Sequence, residues 1–597
     1  MQRWFFFFVF TLLVEPLATQ AQQAMPLASL DNRCSVPVDP HWTDQEKFVW
    51  QHVCIGKVAD FNTAPGYGGE FAPKEPDRWQ QNRVLRPTFL ATILLKEPYH
   101  GALTRSGIII RGARFVEAID IADAEIDHPF ELQDSRVEKS INLGRVRSKF
   151  SIGFQGSKVA GKLNMNALQA DGSLFMGDEA EFTDVDLVSA HVGGNLSLTG
   201  SKVTGMLDMN GIRIEGSLYM RGRAEFAEVD LGGAHVGGDL SFAGSKVAGM
   251  LDMNGLRIDG SLFMRDRAEF AKVDLGSAHV GGDISLTSSK VVGMLDMNGL
   301  QADGPLLMGH EAEFGDIILV GAHVRGQFYL GGSKFAGNIR CYGLVVEQQV
   351  LADGATFGGP IDCRVAKISG DAVFSGAHFG KDVDFSETDI GGKLAFFSTQ
   401  WSEGVTLSLN DAKVGMVPDL ADAWPAKLQL DRFTYRSVGA VDKFEDWFRK
   451  LDHYTPQPYD QLASIVKSQG DSALATKIGY SGRDRERREA TGRTRVWLTS
   501  LQLLIGYGYY PYFAIFWVIS LVMVGALALR ASGEGLRNGM PFGIAYSFDM
   551  LLPVVRLREG HYKIDLQTWV RYYFYVQKIM GYVLASFLIA GLSGLTK

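Results

Sequence analysis

Residues 245–270 read SKVAGMLDMNGLRIDGSLFMRDRAEF. Forty-four residues earlier, from Ser201, the chain reads SKVTGMLDMNGIRIEGSLYMRGRAEF; forty-four later, from Ser289, it reads SKVVGMLDMNGLQADGPLLMGHEAEF. The period is finer than 44. Residues 234–277 divide into AHVGG, DLSFAG, SKVAG, MLDMNG, LRIDG, SLFMRDR, AEFAK and VDLGS, eight short units in all. Each carries a small or apolar residue, a variable residue and a large apolar residue, then a corner of Gly or a polar residue. Taking every second unit, the anchors run from Ala113 through Ser157, Ser201, Ser245, Ser289 and Ser333 to Thr399, which is 26 steps of 11. No helical or heptad pattern holds such a register. Fixed-period apolar pairs at strand spacing mean a solenoid.

Four units make one coil of about 22 residues, so this stretch amounts to 13 coils. The expected fold is mainly β, a right-handed β-solenoid of pentapeptide-repeat-like type. A flatter, two-sided β-solenoid with the same coil is the alternative. At a strand spacing of ~4.8 Å per coil the 13 coils give a rod about 60 Å long. Stacking turns variable positions into columns. One column reads Glu181, Lys202, Glu225, Lys246, Glu269, Lys290, Glu313, Lys334, an alternating charge ladder read as structural. A second reads Gln169, His191, Arg213, His235, Arg257, His279, Gln301, His323. Its histidines stand two coils apart, about 10 Å, too far to share one zinc ion held at ~2 Å by each ligand. This column is read as a solvated face.

The 597 residues carry a net charge of −8, which argues against a nucleic-acid partner. Gly outnumbers Pro, 68 to 19, as expected of repeated tight corners. The start, MQRWFFFFVFTLLVEPLATQA, joins Arg3 to an apolar run, Trp4–Val14, and small residues at Ala18–Ala21. It reads as a secretory signal peptide over 1–21. Of the four cysteines, Cys34 and Cys54 are expected to form a disulfide after export. Cys341 and Cys363, one coil apart, are read as buried thiols. No Cys/His cluster suggests zinc, and no CxxC, haem motif or strand–GxGxxG–helix suggests redox chemistry. No catalytic, cofactor-binding or metal-binding residue is named.

The expected organisation is a cap region over 22–107, the solenoid over 108–415, helical residues over 416–496 and a membrane domain over 497–597. Leu462, Ile465 and Val466 at helical spacing, with a stop at Gly470, predict a helical hairpin. Arg483, Arg485, Arg487, Arg488, Arg493 and Arg495 then precede a span at Tyr512–Leu529, and a second span is expected within Tyr573–Leu595. The arginines read as an interfacial basic helix touching anionic lipid. Between the spans, Pro541 to Val555 is apolar but too short to cross. It reads as a re-entrant segment, with Ser547, Asp549, Leu551, Pro553 and Val555 as its marked residues, or as a membrane-surface helix.

SLFMRDRAEF and VDLGSAHVGGDISL, followed by PQPYDQLA, GYGYYP and two spans, resemble a bacterial family of membrane-associated pentapeptide-repeat-like proteins. Its members are often labelled membrane-associated oxidoreductases, a label without a mechanism. AYSFDMLLPVV and GYVLASFLIAGLSGL also resemble the span–pore loop–span module of potassium channels. That resemblance implies a filter of backbone carbonyls. Here the chain departs from it, because Leu551–Val555 reads LLPVV and holds no glycine.

A cleaved leader places the rod outside the bacterial inner membrane, in the periplasm, whereas the positive-inside tendency prefers the arginine run inside. Arg530, Arg537, Arg556, Arg558 and Lys563 between the spans partly balance that run. The function expected is a non-enzymatic membrane-anchored scaffold, with a channel-like protein as alternative and an oxidoreductase behind both. The partners expected are membrane lipid, an unidentified protein and a second copy of the chain.

Overall fold

Each repeat unit contributes one very short strand. The coil that begins at Lys158 shows the plan: Lys158–Val159, Leu163–Asn164, Gln169–Ala170 and Leu174–Phe175. Val159, Leu163, Ala170 and Leu174 point inward and are buried. Each strand pairs in parallel with its counterpart one coil on: Lys158 with Glu181, Leu163 with Val185, Gln169 with His191 and Leu174 with Leu196. The computed structural model describes residues 34–592 apart from 72, 76–78, 80, 419–422 and 511. The leader expected at 1–21 lies outside the described residues. Among those described, the strands form two parallel sheets of 29 and 25 strands. Together they make a β-solenoid of about 15 turns at about 22 residues per turn.

The corners explain why the sequence repeats at 44 although the coil is 22. One corner column has left-handed backbone once per coil, at Gly211, Gly233, Gly255, Ser277, Gly299, Gly321 and Gly343, where glycine carries no Cβ penalty. Val365 follows at φ 61°, an unusual position for a β-branched side chain. Another corner alternates. It uses one left-handed residue at Gly156, Gly200, Gly244 and Ser288, but two at Asp178–Glu179, Gly222–Arg223, Asp266–Arg267 and His310–Glu311. The coil with the two-residue corner has a side one residue shorter: Glu225 to Val229 covers the side that Lys202 to Leu207 covers one coil earlier. The extra and the missing residue cancel, so the inward columns stay in register.

The interior is a stack of side-chain layers. Met209, Leu231, Met253, Leu275 and Met297 form one fully buried column. In another, Phe314, Phe335, Phe357, Phe379 and Trp401 lie nearly parallel, with centroids 4.3–5.4 Å apart.

Both ends of the rod are covered, as an open parallel stack requires. At the start, helix α1 (Asp44–Val53) has a capping box of Thr43 and Glu46, and α2 (Pro87–Leu95) packs Phe89, Leu90 and Ile93 beneath it. Buried Glu46 bonds Arg86 at 2.6 Å. Burial alone raises its pKa, but the bonds from Arg86 and the Thr43 N–H outweigh that and hold the carboxyl below its ordinary value. Ala59–Asp60 pairs in parallel with Ile110–Arg111 and begins the stack. Cys34 and Cys54 are disulfide-bonded, their Cα atoms 5.7 Å apart.

The far end departs from the boundary expected at 415. Lys427–Gln429 still pairs with Thr406–Ser408, and Thr434–Val438 with Lys413–Val417. Stacking depends on the inward columns, which Leu428, Leu430 and Tyr435 continue even where the loop between coils changes length. Helix α3 (Phe444–Arg449) then closes the last coil with Trp447 against Trp424, so helical structure begins well after 416. Helix α4 (Pro456–Ser468) caps the exposed strand edge: Gln457, Gln461 and Gln469 donate to the carbonyls of Phe433, Tyr435 and Val438. After Gly470 the chain returns as α5 (Ser472–Glu489), the expected hairpin.

The reading of Cys341 and Cys363 as thiols is corrected. The structure joins them in a disulfide, with Cα atoms 4.5 Å apart, inside the range that a bridge spans. In-register stacking brings the two residues close enough without backbone rearrangement.

Candidate functional site

The faces of the rod come first, because they are its largest regular surface. The charge ladder is paired along its length: Lys158–Glu181 at 3.0 Å, Lys202–Glu225 at 2.8 Å, Lys246–Glu269 at 3.1 Å and Lys290–Glu313 at 2.9 Å. Each histidine of the second column reaches one coil on to a carboxylate. His235 meets Asp259 at 2.9 Å, His279 meets Asp303 at 3.2 Å and His323 meets Glu347 at 2.8 Å. Among the described residues no group of three or more His, Cys, Asp or Glu side chains is placed to hold a metal ion.

A third column went unread in the sequence, although its residues recur every 22. Asp186, Asp208, Asp230, Asp252, Asp274 and Asp296 stack in register through six coils. Like charges at strand spacing repel. Each carboxylate also accepts a backbone N–H two residues ahead, as in Asn210 N to Asp208 at 3.1 Å and Gly232 N to Asp230 at 2.7 Å. The column therefore fixes the turns at an electrostatic cost. Burial, then the neighbouring Asp230 and Asp186, push the carboxyl of Asp208 above its ordinary value. A raised acid weakens the fold once it ionises and costs nothing below its unfolded pKa of ~3.9. Asp208→Asn keeps the acceptor and removes the charge. Its urea unfolding midpoint is expected to rise at about pH 7 and to match the native protein at about pH 3. A fall at pH 7 would contradict the repulsion.

The second surface lies in the C-terminal helices. Four of the six arginines are spent locally: Arg483 on Glu486, Arg485 on Glu489, and Arg487 and Arg488 on Asp484. Arg493 and Arg495 stand exposed at the start of α6 (Gly492–Ile505). The chain then turns through Gly506, Tyr507 and Gly508, all with positive φ and all buried. It enters α7 (Tyr512–Ala531), the one helix among the described residues long and apolar enough to cross a membrane. The short helices α8 (Glu534–Arg537) and α9 (Ile544–Leu551) follow, and then α10 (Val570–Leu592), which contains the described part of the second expected span.

Helices α7, α9 and α10 meet at a polar contact. Gln577 of α10 and Ser547 of α9 are fully buried, and the Gln577 amide donates to the Ser547 carbonyl at 2.9 Å and hydroxyl at 3.0 Å. Gly525 of α7 lies over this pair, where a Cβ would collide with both side chains. Next to it, Asp549 is fully buried and accepts from the N–H groups of Leu557 at 2.9 Å and Arg558 at 3.3 Å. His561 Nδ1 stands 3.0 Å from the same carboxylate, and the Tyr562 hydroxyl donates to the Asp549 carbonyl. Asp549 thus folds residues 552–562 back onto α9 instead of facing water. Glu534, also buried, accepts from Gln567 N at 3.0 Å.

Of the marked residues, Ser547, Asp549 and Leu551 are buried together on α9, Pro553 is half-buried and Val555 is exposed. The sequence reading missed Gln577, His561 and Glu534. Gly525, a small residue inside the apolar run of α7, was the available signal for a close helix contact. No family model, curated protein or solved structure matches the chain.

Proposed function

We propose that this chain is a membrane-anchored scaffold that presents the regular faces of its rod to a protein partner. In this reading the leader at 1–21 exports the chain, α7 and α10 both span the bacterial inner membrane, and the rod stands in the periplasm. The coils wind right-handed, the hand that parallel crossovers take. The family resemblance to membrane-associated pentapeptide-repeat-like proteins agrees with this arrangement.

One observation carries the reading: apolar surface is segregated along the chain. Over 34–495 the large apolar side chains that stay exposed are scattered singly, such as Val116, Phe150 and Val292. Over 496–592 they crowd together, with Ile515, Phe516, Ile519 and Leu527 on α7 and Tyr572, Val576, Ile579 and Ile589 on α10. A contiguous apolar surface of this kind needs lipid or protein against it. The test uses intact membranes. The full chain should stay in the pellet after an alkaline carbonate wash. A photo-crosslinker at an exposed rod position such as Arg257 should capture a recurrent partner. Release by carbonate, or no crosslinked product from any of the rod faces, would overturn the scaffold reading.

A channel-like protein is the second reading, favoured by α9. It is a short helix between two long ones, and the chain leaves it through an extended Leu552 and a bend, with Val554 83% exposed. Leu551–Val555 contains no glycine, so a carbonyl filter of the usual kind has no flexible backbone there. Reconstitution into bilayers under potassium and sodium gradients separates the two. Selective currents abolished by changes within 551–555 would promote the channel.

A further inference from the structure

The rod is not equally filled along its length. In the repeated coils the Met209-to-Met297 column leaves no exposed area on Met253, Leu275 or Met297. Over the next four coils the same column reads Leu319, Cys341, Cys363 and Phe385. Cysteine is shorter than the Met or Leu it replaces, and here it does so in two consecutive coils. The disulfide between the two cysteines holds both sulfurs in the wall. The neighbouring residues do not collapse into the gap. Ile339 keeps 8% exposure, Ile368 7% and Leu330 6%, although all three point into the coil. That exposure is to a hollow inside the rod.

The hollow has a volume of about 50 Å³ and is bounded by residues such as Leu330, Phe335, Ile339, Cys341, Ile361 and Cys363. Its polar side chain is Thr388, whose hydroxyl already donates to the Cys363 carbonyl at 3.1 Å. Water needs two to four polar partners to occupy a cavity, and an apolar one stays dry. The wall atoms therefore lack the dispersion contacts that a close-packed core makes. An apolar guest restores them without giving up any hydrogen bond.

We propose that the coils around Cys341 and Cys363 form an internal binding site for a small, uncharged, apolar molecule. Size limits the guest: a cavity of roughly 150 Å³ takes benzene, so this one takes something smaller. The inference concerns the rod alone and does not depend on the membrane reading.

Xenon is the probe. Crystals of the purified full chain, held under xenon pressure, are expected to show an anomalous peak between Cys341 and Phe357. Cys341→Met with Cys363→Leu returns the column to its Met/Leu pattern and should abolish the peak. Ala366→Leu fills the hollow from another wall and leaves both cysteines in place, so it tests the site even if the double variant fails to fold. Native crystals with no peak in the rod would overturn the proposal. So would a peak that persists unchanged in Ala366→Leu.

Discussion

Met253→Asp is expected to lower the stability of the rod by several kcal/mol, among the largest losses a single change there can cause. Met253 is fully buried between Leu231 and Leu275 of the adjacent coils. No cation lines that column, so the carboxylate would be desolvated without a partner. Met253→Leu is the control. Leucine already occupies the position one coil before and one coil after, and a volume-conserving swap costs under about 1.5 kcal/mol. Guanidinium unfolding reads the difference. Because each coil contacts only its neighbours, limited proteolysis should cut the Asp variant first within roughly 230–275. An unchanged midpoint for Met253→Asp would mean that the residue does not point inward.

Arg83→Met should be comparably damaging, at the other end of the scale of order. Arg83 is fully buried in the cap and belongs to no repeat. Its guanidinium donates to the Tyr67 carbonyl at 2.7 and 2.9 Å, to Asn62 at 2.7 Å, to the Phe61 carbonyl at 3.1 Å, and to the carbonyls of Gly69 and Gly112. Phe71 covers its face at 4.3 Å. Methionine keeps much of the length and supplies none of the donors, leaving several buried carbonyls without a partner. The expected cost is about 3–5 kcal/mol. Hydrogen exchange should show the first strand of the rod, Ile108–Arg111, losing protection before the central coils. Arg83→Lys should restore only part of it, since an ammonium cannot reach carbonyls in a planar fork. Full protection in Arg83→Met would remove the arginine from its role in closing the rod.

These two residues mark how far the sequence could be read. Met253 could be placed inside from its column alone. So could the partners of Lys202 and Glu225, because in a parallel stack the residue one coil ahead is the neighbour whatever its side chain. The sequence also held the alternating spacing of the charge ladder. Its cause, a corner of one or two left-handed residues with a compensating shorter side, became visible only with backbone angles. The Asp186–Asp296 column was equally legible and was overlooked. Arg83 was not legible, because its partners run from Phe61 to Gly112 at irregular separations. Ser547 and Asp549 were marked as members of an apolar segment, but nothing in their spacing pointed to Gln577 or His561.

The sequence by itself determined the solenoid, its coil length and which residues share a column, since one period fixes both the strand and its neighbour. Tertiary structure alone decided where the rod ends, that the stacked Cys341 and Cys363 are bonded to each other and not left as thiols, and that α7, α9 and α10 bury a polar contact. Those outcomes depend on loop paths, side-chain volume and helix crossings, none of which repeats along the chain.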